Sequence, residues 1–199
     1  TTPLEIAPTG ISGIIAARFH PEGFAPFASI SIGEMENKAV PLEIIFGNGA
    51  VDFKNSVLSA QTNGERINLI EAFFINKLSL PEAADRIART SVGVLLSCNG
   101  QISVDELAEQ LQVNRRQLER KFSSAIGLSP KQLSKVIRLQ TTLKALYQEK
   151  SSTLTSVAYE NGYYDQAHFI KDFREFTGVS PKEFYAGHLQ LSSLFTGAE

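Results

Sequence analysis

Gly127-Leu128-Ser129-Pro130-Lys131-Gln132-Leu133 and Gly178-Val179-Ser180-Pro181-Lys182-Glu183-Phe184 are one phrase written twice, 51 residues apart. An internal repeat is the first thing to seek in a single sequence, because it announces a repeated structural unit. Working backwards from the phrase, Phe122 aligns with Phe173, Leu118 with Phe169 and Asn114 with Asp165. Earlier still, Leu107-Ala108 aligns with Val157-Ala158 at a spacing of 50, so the second copy has gained one residue within Gly162-Tyr163-Tyr164.

Each copy reads as helix, short turn, helix. In the first, Ser103-Val104-Asp105-Glu106 has the form of a capping box, with a Ser hydroxyl as cap and a Glu reaching back from three positions on. Val104, Leu107, Ala108 and Leu111 make an apolar stripe at helical spacing. Gln112-Val113 is the turn, Asn114 caps a second helix with Leu118, Phe122 and Ile126 on its inner face, and Gly127 ends it. Ala108 suits the tight place where two helices cross. In the second copy Thr153 caps, Leu154, Val157 and Ala158 face inward, and Gly162 opens the turn. Asp165 then caps a helix with Phe169, Phe173 and Phe176 as its stripe and Gly178 as its stop. A helix-turn-helix presents its second helix to the DNA major groove. The outward positions there are Arg115, Arg116, Glu119 and Arg120 in the first copy, and Asp165, Gln166, Ala167, Ile170 and Lys171 in the second. The competing reading is a structural bundle whose polar face serves solubility alone.

Charge and the connector support the DNA reading. The chain of 199 residues has a formal net charge of -2. Residues 113–150, however, hold nine Lys or Arg against Glu119 and Glu149, a net of +7, whereas residues 1–90 carry -3. A basic block inside a mildly acidic protein is the footprint of a polyanionic partner. Pro130 suits the first position of a helix. Leu133, Val136, Ile137, Leu143 and Tyr147 keep that helix amphipathic to about Gln148, a length of about 27 Å. Successive major grooves on one face of DNA lie about 34 Å apart. One connector of this length suits two recognition helices in adjacent grooves. Lys131 and Lys135, at its start, are placed to meet the DNA backbone.

The stretch from about Val92 to Phe184 resembles the AraC/XylS family of transcription regulators. The most specific part runs from Gly162-Tyr163-Tyr164-Asp165-Gln166-Ala167-His168-Phe169 through Lys171, Phe173, Arg174 and Gly178 to Ser180-Pro181. In the first unit Leu107-Ala108, Leu118, Arg120, Phe122 and Gly127-Leu128-Ser129-Pro130 match as well. The resemblance implies a mainly α fold, two helix-turn-helix units joined by a long helix. It carries base contacts onto Arg116, Glu119 and Arg120, and onto Gln166, Ala167 and Lys171. Tyr163 stands where the family has Phe. Ala167 is too short to hydrogen-bond a base edge, though its methyl can touch a thymine methyl. Residues 151–190 carry a net of -2, which argues against strong phosphate binding by the second unit.

Three segments are therefore expected: residues 1–90 as the tail of a regulatory or sensor domain, small and mixed or helical; residues 91–190 as the paired DNA-binding domain; residues 191–199 as a tail. In the first, Gly13 to Phe19 reads as a short strand, Val40 to Phe46 as a short helix or turn, and Glu65 to Leu78 as a buried helix. Another helix is expected from Pro81 to about Arg89. His20 beside Glu22 lacks the third ligand that a metal site needs. Cys98, the single cysteine, excludes an intrachain disulfide and reads as a small buried hydrophobe. No Gly-rich phosphate loop, catalytic triad spacing or metal cluster is present, so no enzymatic activity and no cofactor are expected. The opening Thr1-Thr2-Pro3 suggests a piece of a longer polypeptide, with no signal peptide and no membrane span, in the cytoplasm. The expected partners are double-stranded DNA, RNA polymerase and a small-molecule effector acting through the N-terminal region. The alternative function is a helix-turn-helix module that binds protein.

Overall fold

The structure, a computed structural model, describes residues 10, 13–78, 86–148 and 154–187. Among them there is no strand. The α-helices in chain order are α1 (Leu42–Phe46), α2 (Ala50–Ser59), α3 (Asn63–Lys77), α4 (Arg86–Ser97), α5 (Val104–Gln110), α6 (Arg115–Ile126), α7 (Pro130–Gln148), α8 (Leu154–Glu160), α9 (Gln166–Thr177) and α10 (Pro181–Gly187). None among the described residues is long and apolar enough to cross a membrane. The described residues cluster into two compact units, 10–92 with 116–128, and 93–115 with 129–187. The division does not follow chain order, because α6 groups with the N-terminal half.

The repeat is visible atom by atom in the two turns. After α5, the Leu111 N–H donates to the Leu107 carbonyl (3.1 Å), Gln112 to Glu109 (2.9 Å) and Val113 to Ala108 (3.0 Å). After α8, Asn161 donates to Val157 (3.2 Å), Gly162 to Tyr159 (3.1 Å) and Tyr163 to Ala158 (3.0 Å). This closure satisfies the last carbonyls of a helix and requires one left-handed residue. That residue is Gln112 (φ 53°) in the first unit and Gly162 (φ 77°) in the second.

The repeated phrase has an equally local explanation. A left-handed Gly ends one helix, a Ser caps the next, a Pro occupies its first position, and Gln or Glu completes a capping box. The Ser129 N–H donates to Gln132 Oε1 (2.8 Å) and the Gln132 N–H to Ser129 Oγ (3.2 Å). Ser180 and Glu183 repeat the exchange at 2.7 and 3.3 Å. Ser103 and Glu106 form the box expected at α5 (2.9 and 3.2 Å), and Asp165 caps α9 by accepting from the His168 N–H (2.7 Å). The cap expected at Thr153 lies outside the described residues, as does Pro81; within them α4 runs on to Ser97.

Helix α7 packs on α8 and α9, and α10 packs on α9. The core there is Leu139, Ala158, Tyr163, Phe169 and Phe173, with Leu143, Leu146, Ile170, Phe176 and Phe184 around it. Phe169 and Phe173 are fully buried, with ring centroids 5.7 Å apart at a tilted angle. Truncating either to Ala removes about 3–5 kcal/mol. The small side chain of Ala158, fully buried among these rings, lets α8 and α9 cross closely.

The N-terminal half departs from expectation in two ways. Gly13 to Phe19 forms no strand, because no second strand offers it a hydrogen-bonding ladder. Its contribution is Phe19, which joins Phe24, Phe27, Phe46, Phe73 and Phe74 in an edge-on aromatic core with Ala50 at its centre. Helix α3 forms where expected but is not buried: Phe73 and Phe74 face this core, while Ile67, Leu69 and Ile75 are exposed. Outside that half, Cys98, expected to be buried, is half-buried. Within the unit of residues 10–92 and 116–128, a Cβ placed on Gly127 would lie 2.7 Å from Ile32 Cγ2 and 3.0 Å from the Gly33 nitrogen.

The unequal turn residues yield a stability test. A non-Gly residue in left-handed backbone costs about 1–2 kcal/mol, and Gly loses about 0.5–1 kcal/mol in chain entropy. Gln112→Gly is therefore expected to raise the free energy of unfolding by about 0.5–1 kcal/mol, and Gly162→Ala to lower it by at least as much. Urea midpoints read by far-UV circular dichroism check both signs.

Candidate nucleic-acid interface

Helix α6 presents a polar outer face because Leu118, Phe122 and Ile126 take its apolar stripe inward, all buried. Arg116 and Arg120 are exposed one turn apart, and Glu119 is half-buried beside them. Residues four apart share a helix face, so both guanidinium groups serve the same surface. Arg115, the first residue of α6, is engaged nearer home: its Nη1 donates to Asp105 Oδ1 and Oδ2 at 3.1 and 3.2 Å. Both partners are well exposed, so this pair orients Arg115 more than it stabilises the fold.

On α9, Gln166, Ala167 and Lys171 are all exposed, as the sequence suggested. Gln166 is not idle, because its Oε1 accepts from the Thr155 hydroxyl at 3.0 Å. Asp165, counted among the outward positions, spends its carboxylate on the cap and is half-buried.

The two connector lysines part company. Lys131 is exposed at the start of α7. Lys135 was expected on the DNA backbone, but its Nζ lies 3.0 Å from Asp172 Oδ1 and 3.0 Å from Glu175 Oε2, both on α9. Only 21% of its side chain is exposed, and Asp172 is 1% exposed. A carboxylate that deep requires a cation, and Lys135 supplies it. Burial pulls the Lys135 ammonium down, but hydrogen bonds to Glu175 and Asp172 outweigh it and the pKa is raised. His168 Nε2 stands 3.6 Å from the other Asp172 oxygen.

Arg138 is the residue that sequence reasoning did not single out. Its Nη1 donates to the Gly162 carbonyl (3.3 Å), and its guanidinium lies over the Tyr163 ring at 5.1 Å. Tyr163 is itself buried, and burial, then the Asp172 charge, push its phenol well up. The signal available beforehand was position: Arg138 lies seven residues after Lys131, on one face of α7.

Known proteins resemble this chain mainly over its paired helix-turn-helix residues. Residues 107–186 match the family described as "Helix-turn-helix domain". An uncharacterized HTH-type transcriptional regulator of Haemophilus influenzae is 30% identical over 99 residues, half of this chain and 33% of that protein. The HTH-type transcriptional regulator GbdR of Pseudomonas aeruginosa is 35% identical over 82 residues, 41% of this chain and 22% of that protein. A crystal structure of an AraC-type transcriptional regulator from Chromobacterium violaceum superposes with a TM-score of 0.48 at 24% identity, over 56% of this chain and 99% of that one. The chain thus spans at most a third of the length of these two curated relatives. Over residues 107–186 the chain is similar to the helix-turn-helix domains of HTH-type transcriptional regulators.

Proposed function

We propose that the chain is a non-enzymatic, sequence-specific DNA-binding regulator whose helices α6 and α9 enter successive major grooves. The observation that carries this reading is the pair of matching turns, each followed by a helix with one buried apolar face and one exposed polar face. Arg116 and Arg120 are the base readers of α6, since a planar guanidinium fits guanine O6 and N7. Glu119 accepts only, so its target is a cytosine amino group. From α9, Lys171 and the Gln166 amide offer donors, and Ala167 offers a methyl. Lys131 anchors the backbone; Lys135 holds α9 in place instead. RNA polymerase and a small-molecule effector, sensed through the N-terminal half, complete the scheme.

The reading is tested by selecting bound fragments from a random library and titrating variants on the selected site and on random DNA. Arg116→Ala and Arg120→Ala are expected to cost about 1–3 kcal/mol on the selected site and far less on random DNA. Equal losses on both DNAs would remove α6 as the reader, and protection of a single groove segment in footprints would remove the two-groove arrangement.

Lys135→Ala is expected to act on stability, lowering it by about 3 kcal/mol because Asp172 is left buried without its cation. All five tyrosines lie between Tyr147 and Tyr185 and the chain has no Trp, so tyrosine emission during urea unfolding reports this half. An unchanged urea midpoint together with a reduced salt dependence of DNA binding would return Lys135 to the backbone.

A further inference from the structure

A cavity of about 540 Å³ opens in the unit that contains α7. Its lining brings together three cations, Arg115, Lys131 and Arg138, with Ser103, Asp105 and Gly162 beside them. Asp105 is the single carboxylate in that lining, and its oxygens are spent on Arg115. Lys131 and Arg138 therefore meet no counter-charge within the cavity. Being seven residues apart on one helix, they stand two turns, or about 10 Å, from each other along its length.

Arg138 is also held in advance of any ligand. The Gly162 carbonyl takes one N–H, and the Tyr163 ring supports one face of the guanidinium. Its Nε–H is buried and has no hydrogen-bond partner, so the group is under-satisfied as it stands. A guanidinium carries five donors, and fixing its plane removes most of the entropy cost of meeting an anion.

We propose that this cavity seats a stretch of DNA sugar–phosphate backbone, with Lys131 on one phosphate and Arg138 on another. Two cations about 10 Å apart suit a chain of phosphates better than a single small anion. The rim points the same way: Arg115 opens the first recognition helix, and Gly162 lies in the turn that leads into the second. Those are the parts a helix-turn-helix brings to the duplex. The inference rests on the DNA-binding reading above and adds the place where the backbone is held, together with Arg138.

The test is an anisotropy titration of the full chain on the selected site and on random DNA, at several salt concentrations. Arg138→Gln and Lys131→Ala are each expected to reduce the slope of log K against log[salt] by about one, equally on both DNAs, and the double variant by about two. Arg138→Lys keeps the charge and the slope. Since Arg138→Gln also loosens the Tyr163 brace, Ser103→Asp serves as the second variant. Asp caps α5 as well as Ser does, and it adds a carboxylate to the lining, so affinity for both DNAs is expected to fall about tenfold at low salt and less at high salt.

Inorganic phosphate is titrated against the protein alone, read by tyrosine emission, and no saturable change is expected. Saturation that is abolished by Arg138→Gln would mark a free-anion site and overturn the assignment to DNA. Unchanged slopes in Arg138→Gln with unchanged affinity in Ser103→Asp overturn the seat but leave the DNA-binding function standing. A wild-type chain that binds no DNA overturns both.

Discussion

One backbone residue in each unit must leave the right-handed half of conformational space, and the paired architecture depends on it. A helix can end and a new one begin within four or five residues only if the freed carbonyls are closed by a left-handed residue. Gly162 adopts that conformation without steric penalty, whereas Gln112 does so against the clash between its Cβ and the following carbonyl. The hydrogen bonds around the two are the same to within about 0.2 Å. The closure, and the buried apolar stripe that follows it, therefore set the turn, and the residue type only sets its cost.

This explains which parts of the fold were legible in the sequence. Caps, boxes and glycine stops are decided by atoms within five residues of each other, so the repeated phrase and the Ser103 box can be read directly. The N-terminal half is decided by atoms far apart in the chain. Phe19 meets Phe74 at 4.9 Å across 55 residues, and nothing local to Gly13–Phe19 announces that it feeds an aromatic core and not a sheet. Helix α3 misled for a related reason: apolar residues at helical spacing say that a helix forms, not which of its faces finds a partner. Phe73 and Phe74 find one in this unit, and Ile67 and Ile75 do not.

The site shows the same limit in electrostatic form. A charge count adds residues along the chain and cannot see pairs across it. Of the nine basic residues in the connector region, Lys135 is committed to Asp172 and Glu175, and Arg115 to Asp105. The same pairing corrects the balance of the second unit from the other side. Its net of -2 includes Asp172 and Glu175, whose charges are met by a lysine that the count assigned elsewhere. Counting Lys135 with them moves the balance from -2 to -1, so the argument from net charge against α9 meeting phosphate is weakened and not removed.

The glycine that ends α6 carries a second constraint that its twin in the repeat conceals. Gly127 is left-handed at φ 79°, as a helix stop requires, and so is Gly178 at φ 77°. At Gly127, however, Ile32 and Gly33 of the N-terminal half approach so closely that a side chain has no room. The first recognition helix therefore ends against the turn Ile32–Met35, and residues 116–128 cluster with residues 10–92 and not with the rest of their own helix-turn-helix. A boundary drawn at residue 90 by sequence repeat would separate α6 from the surface on which its C-terminus rests. Helix α6 is accordingly best studied with residues 10–92 present, because the glycine that ends it rests against Ile32 and Gly33.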